Sequence, residues 1–236
     1  MRARMPSAAD TFSRRWFRGR SAAFLPALLP AGFQMSTAGA GLASAAEAGD
    51  PAAVKAHLGS GVSPDATAAD GSPAACFAAW KGHLDVLEAL QQAGAKLSAT
   101  EPEFGWTPLI FAAANGRADC VAALLRWGAD VDTLSQDKQS ALHAAALYGQ
   151  LDCARLLVEA GADRSLRDGG GKTAHDRAES EGHAEIAALL ASAEQKAKKE
   201  RANVERLLAE GDEDKGDDWA SVAEGSPQPQ PEPEPA

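Results

Sequence analysis

Long apolar runs are missing from this chain of 236 residues. No stretch of about 18 uninterrupted apolar residues occurs, so no transmembrane helix and no membrane insertion are expected. Cysteine is scarce. Cys76, Cys120 and Cys153 are an odd number without CxxC spacing. That argues against a disulfide framework and for buried thiols in a reducing compartment. Aromatic residues make up only 6%, so each one that reaches the surface is informative. Basic residues are wanting over most of the length. Residues 1–34 hold six Arg and one Asp, or +5 of a net charge of −10, which leaves −15 for the rest. An acidic body lacks the clustered Lys and Arg that grip phosphates, so nucleic acid is not an expected partner.

What the chain has is alanine and a beat. Apolar residues reach 45%, enough for a core, and much of that fraction is Ala, which suits closely packed helices. Glycines that close short helices recur at Gly49, Gly82, Gly116, Gly149 and Gly182, in steps of 33, 34, 33 and 33. A second series, Gly61, Gly94, Gly128 and Gly161, keeps the same period. Two independent markers at one period predict a repeat array.

The units share one physical plan. In the clearest copy a polar turn, PEFGW at 102–106, leads to Thr107 as side-chain N-cap and Pro108 in the first helical turn. The helix LIFAAAN follows and stops at Gly116, which can take the left-handed conformation. A second helix over 118–126 places Val121, Leu124 and Leu125 on one face. One such pair cannot bury its apolar face alone, whereas stacked copies bury a continuous core.

The segments GWTPLIFAAANG, QSALHAAALYG and LLRWGADVD closely resemble the ankyrin repeat. The resemblance spans about 155 residues, from about Thr37 to Ser192. It implies an all-α solenoid of about five repeats, each a helix-turn-helix with a projecting finger loop. The family's concave face, built from fingers and first helices, binds partners that are usually proteins. Departures sit at the ends. The first unit has Pro51 and His57 where apolar residues are usual, and the second starts SPAACF without a Thr-Pro-Leu turn. The last has His175, Arg177, Glu179 and Glu181 on a polar helix, as a C-terminal cap requires.

Outside the array three segments are expected. Residues 1–35 form an Arg-rich disordered leader, which resembles a transit peptide or precedes a true start at Met35. With the array at 36–194, residues 195–211 read as a helical extension. Residues 212–236 are acidic and then proline-rich, incompatible with a packed core. The compartment is therefore expected to be intracellular: cytoplasm, or mitochondrion or plastid if the leader is a transit peptide.

Catalytic and ligand motifs were weighed and set aside. GGGKT at 169–173 lacks the Gly that a P-loop needs at Leu166 and follows no strand, so it reads as a finger with Thr173 as a cap. Cys120 and Cys153 are equivalent positions in neighbouring helices, about 8–10 Å apart, too far for a disulfide. The histidines do not cluster with cysteines at zinc spacing. His143 holds the His position of the repeat's TPLH-like turn, and His83 and His183 look structural. No cofactor, metal or catalytic set is expected, and the chain reads as a non-enzymatic, monomeric interaction module.

The resemblance and the register together point to partner-binding residues on the concave face: Trp80, Lys81, Phe104, Trp106, Asn115, Asp137, Gln139, Leu147 and Tyr148. The aromatics among them are the candidate hot spots. The alternative is that Phe104 and Trp106 only pack finger against finger. A second functional reading is a regulatory or assembly subunit acting through the acidic tail.

Overall fold

A computed structural model of the chain describes residues 37–192. The leader, the expected extension and the acidic tail lie outside the described residues. The helices are α1 (Thr37–Ala48), α2 (Pro51–Gly59), α3 (Ala74–Lys81), α4 (Leu84–Gln92), α5 (Pro108–Ala114), α6 (Ala118–Arg126), α7 (Ala141–Tyr148), α8 (Leu151–Glu159) and α9 (Ala174–Glu181). A last helix, α10, occupies 184–192.

Local chemistry sets these bounds. Thr107 accepts the Ile110 N–H at 3.3 Å and Pro108 opens α5. Asp50 accepts the Ala52 and Ala53 N–H groups at the start of α2, and Pro51 follows it. Ser140 with His143, and Thr173 with Asp176, form capping boxes on α7 and α9. Helix α3 starts at Pro73 with no side-chain cap, in the unit that begins SPAACF and lacks the capping Thr of α5 and α9.

Odd and even helices form two layers. Helices α1, α3, α5, α7 and α9 pack in succession, and so do α2, α4, α6 and α8. The first layer packs through alanines: Ala78, Ala79, Ala112, Ala113, Ala145 and Ala146 are fully buried. Between the layers lie Leu42, Leu87, Leu90, Leu109, Leu124, Leu142, Leu157, Ile186 and Leu190. Each such side chain contributes about 1.5–3 kcal/mol by burial. His57, out of place as a core residue, is accommodated by a glycine. Its ring lies where a Cβ on Gly41 would be, at 2.8 Å.

The three cysteines are buried free thiols. Burial pushes Cys120 and Cys153 up to about 11, so neither is a ready nucleophile at neutral pH. The Cys76 thiol sits 3.8 Å from the carbonyls of Ala99 and Trp106.

Candidate functional site

Between the helix pairs the chain makes short hairpin-like fingers before α3, α5, α7 and α9. Three of them are braced by a polar side chain at their base. Glu101, Ser135 and Asp168 occupy the same register and are all buried. The Ser135 hydroxyl accepts the Gln139 N–H at 3.0 Å. The Asp168 carboxylate accepts the N–H groups of Gly170 and Lys172 at 2.8 and 3.0 Å. Glu101 accepts three, from Phe104, Glu103 and Trp106 at 2.6, 2.7 and 3.3 Å. Its finger is the one with the extra residue, and the longer acid reaches round the longer turn. Satisfying the finger's own backbone in this way lets a polar group sit in the core.

Neighbouring fingers are tied to each other. The Gln136 N–H donates to the Phe104 carbonyl at 2.9 Å and its side-chain amide to Pro102 at 3.0 Å. The Gly169 N–H donates to the Asp137 carbonyl at 2.7 Å. The fingers before α5, α7 and α9 therefore form a connected rail. The same bonds explain the GGGKT segment: its backbone N–H groups at 169, 170 and 172 already serve Asp137 and Asp168, so they are not presented as a phosphate cradle.

Six of the expected site residues sit half-buried at the ends of the inner helices or on the rail: Trp80, Lys81, Phe104, Asn115, Gln139 and Tyr148. Lys81 lies over the Trp80 ring, with Nζ 3.9 Å from its centroid, and 4.0 Å from the Glu47 carboxylate. The Asn115 amide donates to the Phe111 carbonyl at 2.8 Å. Burial raises the Tyr148 hydroxyl above its ordinary pKa. Asp137 is exposed and Gln139 half-buried.

Two residues depart from the expected surface. Trp106 is only 3% exposed. Its ring meets Phe111 edge-on at 5.2 Å and Phe104 at 6.4 Å. It is a core residue joining the finger to α5, because that apolar contact outweighs exposure of a large ring. Leu147, at 6%, is buried as well.

Just beyond the C-terminal ends of the inner helices, next to Trp80, Asn115 and Tyr148, runs a second series that sequence reading caught only in part. The residue after each mid-repeat glycine reaches back to a carbonyl of the preceding pair. His83 meets Glu47 at 3.2 Å, Arg117 meets Trp80 at 3.3 Å, Gln150 meets Ala114 at 3.4 Å and His183 meets Leu147 at 3.3 Å. Among the described residues His175, Asp176 and Glu179 bring ligand atoms within 4.8 Å of one another. Asp176 is already committed to capping α9, accepting the Thr173 N–H at 2.9 Å. No described helix is long and apolar enough to cross a membrane.

Comparison with known proteins agrees with this architecture. The sequence profile described as "Ankyrin repeats (3 copies)" matches residues 42–135 and 128–203. Ankyrin repeat protein nuc-2 of Neurospora crassa is 40% identical over 62 residues, 26% of this chain and 6% of that protein. Human DNA-binding protein RFXANK is 41% identical over 66 residues, 28% of this chain and 25% of its own. Inversin of Gallus gallus is 39% identical over 69 residues, 29% of this chain and 6% of its own. The matches thus cover at most a quarter of these relatives' length.

Proposed function

Since the chain belongs to the ankyrin-repeat family, we propose that it binds a partner protein across the fingers and inner helices of its central helix pairs. Ankyrin repeats are general protein–protein interaction modules, and the family is typically non-enzymatic. The observation that carries the finer reading is the placement of scarce aromatics. Trp80, Phe104 and Tyr148 stand half-buried in or beside a layer rich in alanine, and Lys81, Asn115, Asp137 and Gln139 accompany them in the repeat register. Large amphipathic rings on a braced scaffold have the character of hot spots. The chain acts by binding, as a monomer, without catalysis. The −15 carried by residues 35–236 disfavours direct phosphate contacts, whatever the name of one relative says of that relative.

Affinity capture with mass spectrometry supplies the partner, and titration of the purified pair tests the surface. Trp80→Ala and Tyr148→Ala, with folding checked by circular dichroism, are each expected to weaken binding by about 2 kcal/mol, roughly 30-fold. Unchanged affinity in both variants refutes this surface.

A further inference from the structure

The chain has two asparagines, Asn115 and Asn203, and Asn115 is followed by glycine. The residues before the other mid-repeat glycines are Ala48, Lys81, Tyr148 and Glu181. Of the five turns, this one alone sets an amide side chain beside a backbone nitrogen that no side chain shields. Such a pair carries its own reactants. The Gly116 nitrogen is a nucleophile, and the Asn115 Cγ is an electrophile within reach of a five-membered ring.

The fold holds the two apart. Asn115 is half-buried at the C-terminal end of α5, with φ −101° and ψ 10°. Its side-chain amide donates to the Phe111 carbonyl at 2.8 Å, which ties the nitrogen that would leave to the last turn of the helix. Gln150 covers the glycine. Its amide donates to the Ala114 carbonyl at 3.4 Å, and its Cδ lies 2.9 Å from where a Cβ on Gly116 would stand. The attacking group is held less firmly. The Gly116 N–H reaches the Ala113 carbonyl at 3.4 Å, beyond the usual N–H···O range of about 2.7–3.2 Å. Helix ends open locally at less free energy than global unfolding requires.

We propose that Asn115–Gly116 is a self-modifying site: the last turn of α5 opens, Asn115 is converted to aspartate or isoaspartate, and Gln150 sets the rate. In the open turn the Gly116 nitrogen loses its proton to solvent base and attacks Asn115 Cγ. The bond from Cγ to Nδ2 breaks, ammonia leaves and a succinimide closes. Water then adds to either imide carbonyl and breaks its bond to nitrogen, so water is the sole co-reactant. The product alters the face to which Asn115 belongs. A carboxylate has no N–H to donate to the Phe111 carbonyl, and negative charge at a helix C-terminus is unfavourable. The consequence for binding rests on the partner-binding reading above: a neutral donor between Lys81 and Tyr148 in the repeat register becomes an anion, and the partner is lost as the chain ages.

The full chain, incubated at mildly alkaline pH and digested with trypsin, tests this by peptide mass spectrometry. The fragment 97–117 is expected to give two chromatographically separate products in which NH₂ is replaced by OH, with heavy oxygen taken up from labelled water. A synthetic peptide of the same residues should convert faster, and Asn115→Gln should give no product. Gln150→Ala should raise the rate in the folded chain about fivefold, the population change that loss of one ordinary hydrogen bond gives. Gln150→His, which copies His83 and His183 in the ladder, should restore the native rate. Circular dichroism confirms that both variants fold. No product from the native chain while the peptide converts, or one rate shared by the native chain, Gln150→Ala and the peptide, overturns the proposal. If Trp80→Ala weakens the captured partner and Asn115→Asp does not, the binding consequence fails and the surface stands. Unchanged affinity in Trp80→Ala and Tyr148→Ala refutes the surface and leaves the modification site intact.

Discussion

His183 Nε2 lies 3.3 Å from the carbonyl oxygen of Leu147, one helix pair back along the array. To get there its ring passes over Gly149, where a Cβ would lie 2.6 Å from the ring. The glycine thus has two tasks: it takes φ +73° to end α7, and it leaves room for the next pair's side chain. The Gly161 position separates these tasks, with φ +86° and nothing within 4 Å of a built Cβ.

That contrast gives a paired prediction. Gly161→Ala should cost only the left-handed penalty, about 1–2 kcal/mol. Gly149→Ala should cost more, about 3 kcal/mol, because it adds displacement of the His183 ring and loss of a hydrogen bond worth about 1 kcal/mol. Urea unfolding of the two variants decides it. Equal losses would show that the ring gives way freely.

Lys138 is the mirror case. It has φ +55°, the only non-glycine with positive φ among the described residues. The equivalent finger positions are Gly71, Gly105 and Gly171, with φ between 69° and 82°. The sequence therefore breaks its own pattern here and holds an L side chain in a strained conformation. Lys138→Gly should stabilise the fold by about 0.5–1 kcal/mol, since the relieved strain exceeds the added entropy of the unfolded chain. Thermal unfolding should show a higher midpoint, and a lower one would mean that the Lys138 side chain contributes contacts outweighing the strain.

His143 links stability to pH. Its Nε2–H donates to the Lys172 carbonyl of the next finger at 3.2 Å, and its Nδ1 faces the Ser140 hydroxyl at 2.9 Å. Burial lowers its pKa below the ordinary 6.5, although the Lys172 carbonyl and Asp168 pull the other way. The unfolded chain therefore binds the extra proton first. Stability should be complete above about pH 6.5 and fall as pH drops below it, until the folded form protonates too. The slope for one proton is at most about 1.4 kcal/mol per pH unit. Thermal melts from pH 8 to 5 should show this fall in the native chain and a flatter profile in His143→Gln.

Much of this was legible in the sequence because caps and turns are local. Thr107, Pro108 and Gly116 announce one helix whatever surrounds them. The fate of Trp106 depends instead on how a finger lies over α5, and a ring that the repeat register places at the surface ends in the core against Phe111. The finger of Glu101 shows in the sequence only as the one step of 34 among steps of 33. The role of Glu101 needs the backbone of its own finger, which no periodic pattern reveals. The ladder across the mid-repeat turns was half visible. His83 and His183 stood out as a repeated type, while Arg117 and Gln150 do the same work with unlike side chains. Pattern reading finds repeated residues more readily than repeated roles.

The last finger is held by an ion pair that the sequence suggested only as a polar cap. The Arg177 guanidinium contacts the Asp168 carboxylate, whose side chain is 1% exposed. Burial works against the charge of Asp168, yet the hydrogen bond and charge of Arg177, with the Lys172 and Gly170 N–H groups, hold its pKa below the usual carboxylate range. A depressed pKa means stability that is present above the unfolded carboxylate's pKa, about 3.9, and lost as pH falls through the folded value. Removing one partner should be worse than removing both. Arg177→Leu leaves a buried carboxylate without its cation and should cost about 3–5 kcal/mol at pH 7. Asp168→Asn/Arg177→Leu should recover part of that, because no charge remains to be buried. The single variant should also lose less than the native chain on acidification, since protonation now relieves its uncompensated charge. Urea unfolding at pH 7 and pH 4.5 measures both effects. A double variant no more stable than Arg177→Leu would mean that Arg177 holds the finger by packing rather than by charge.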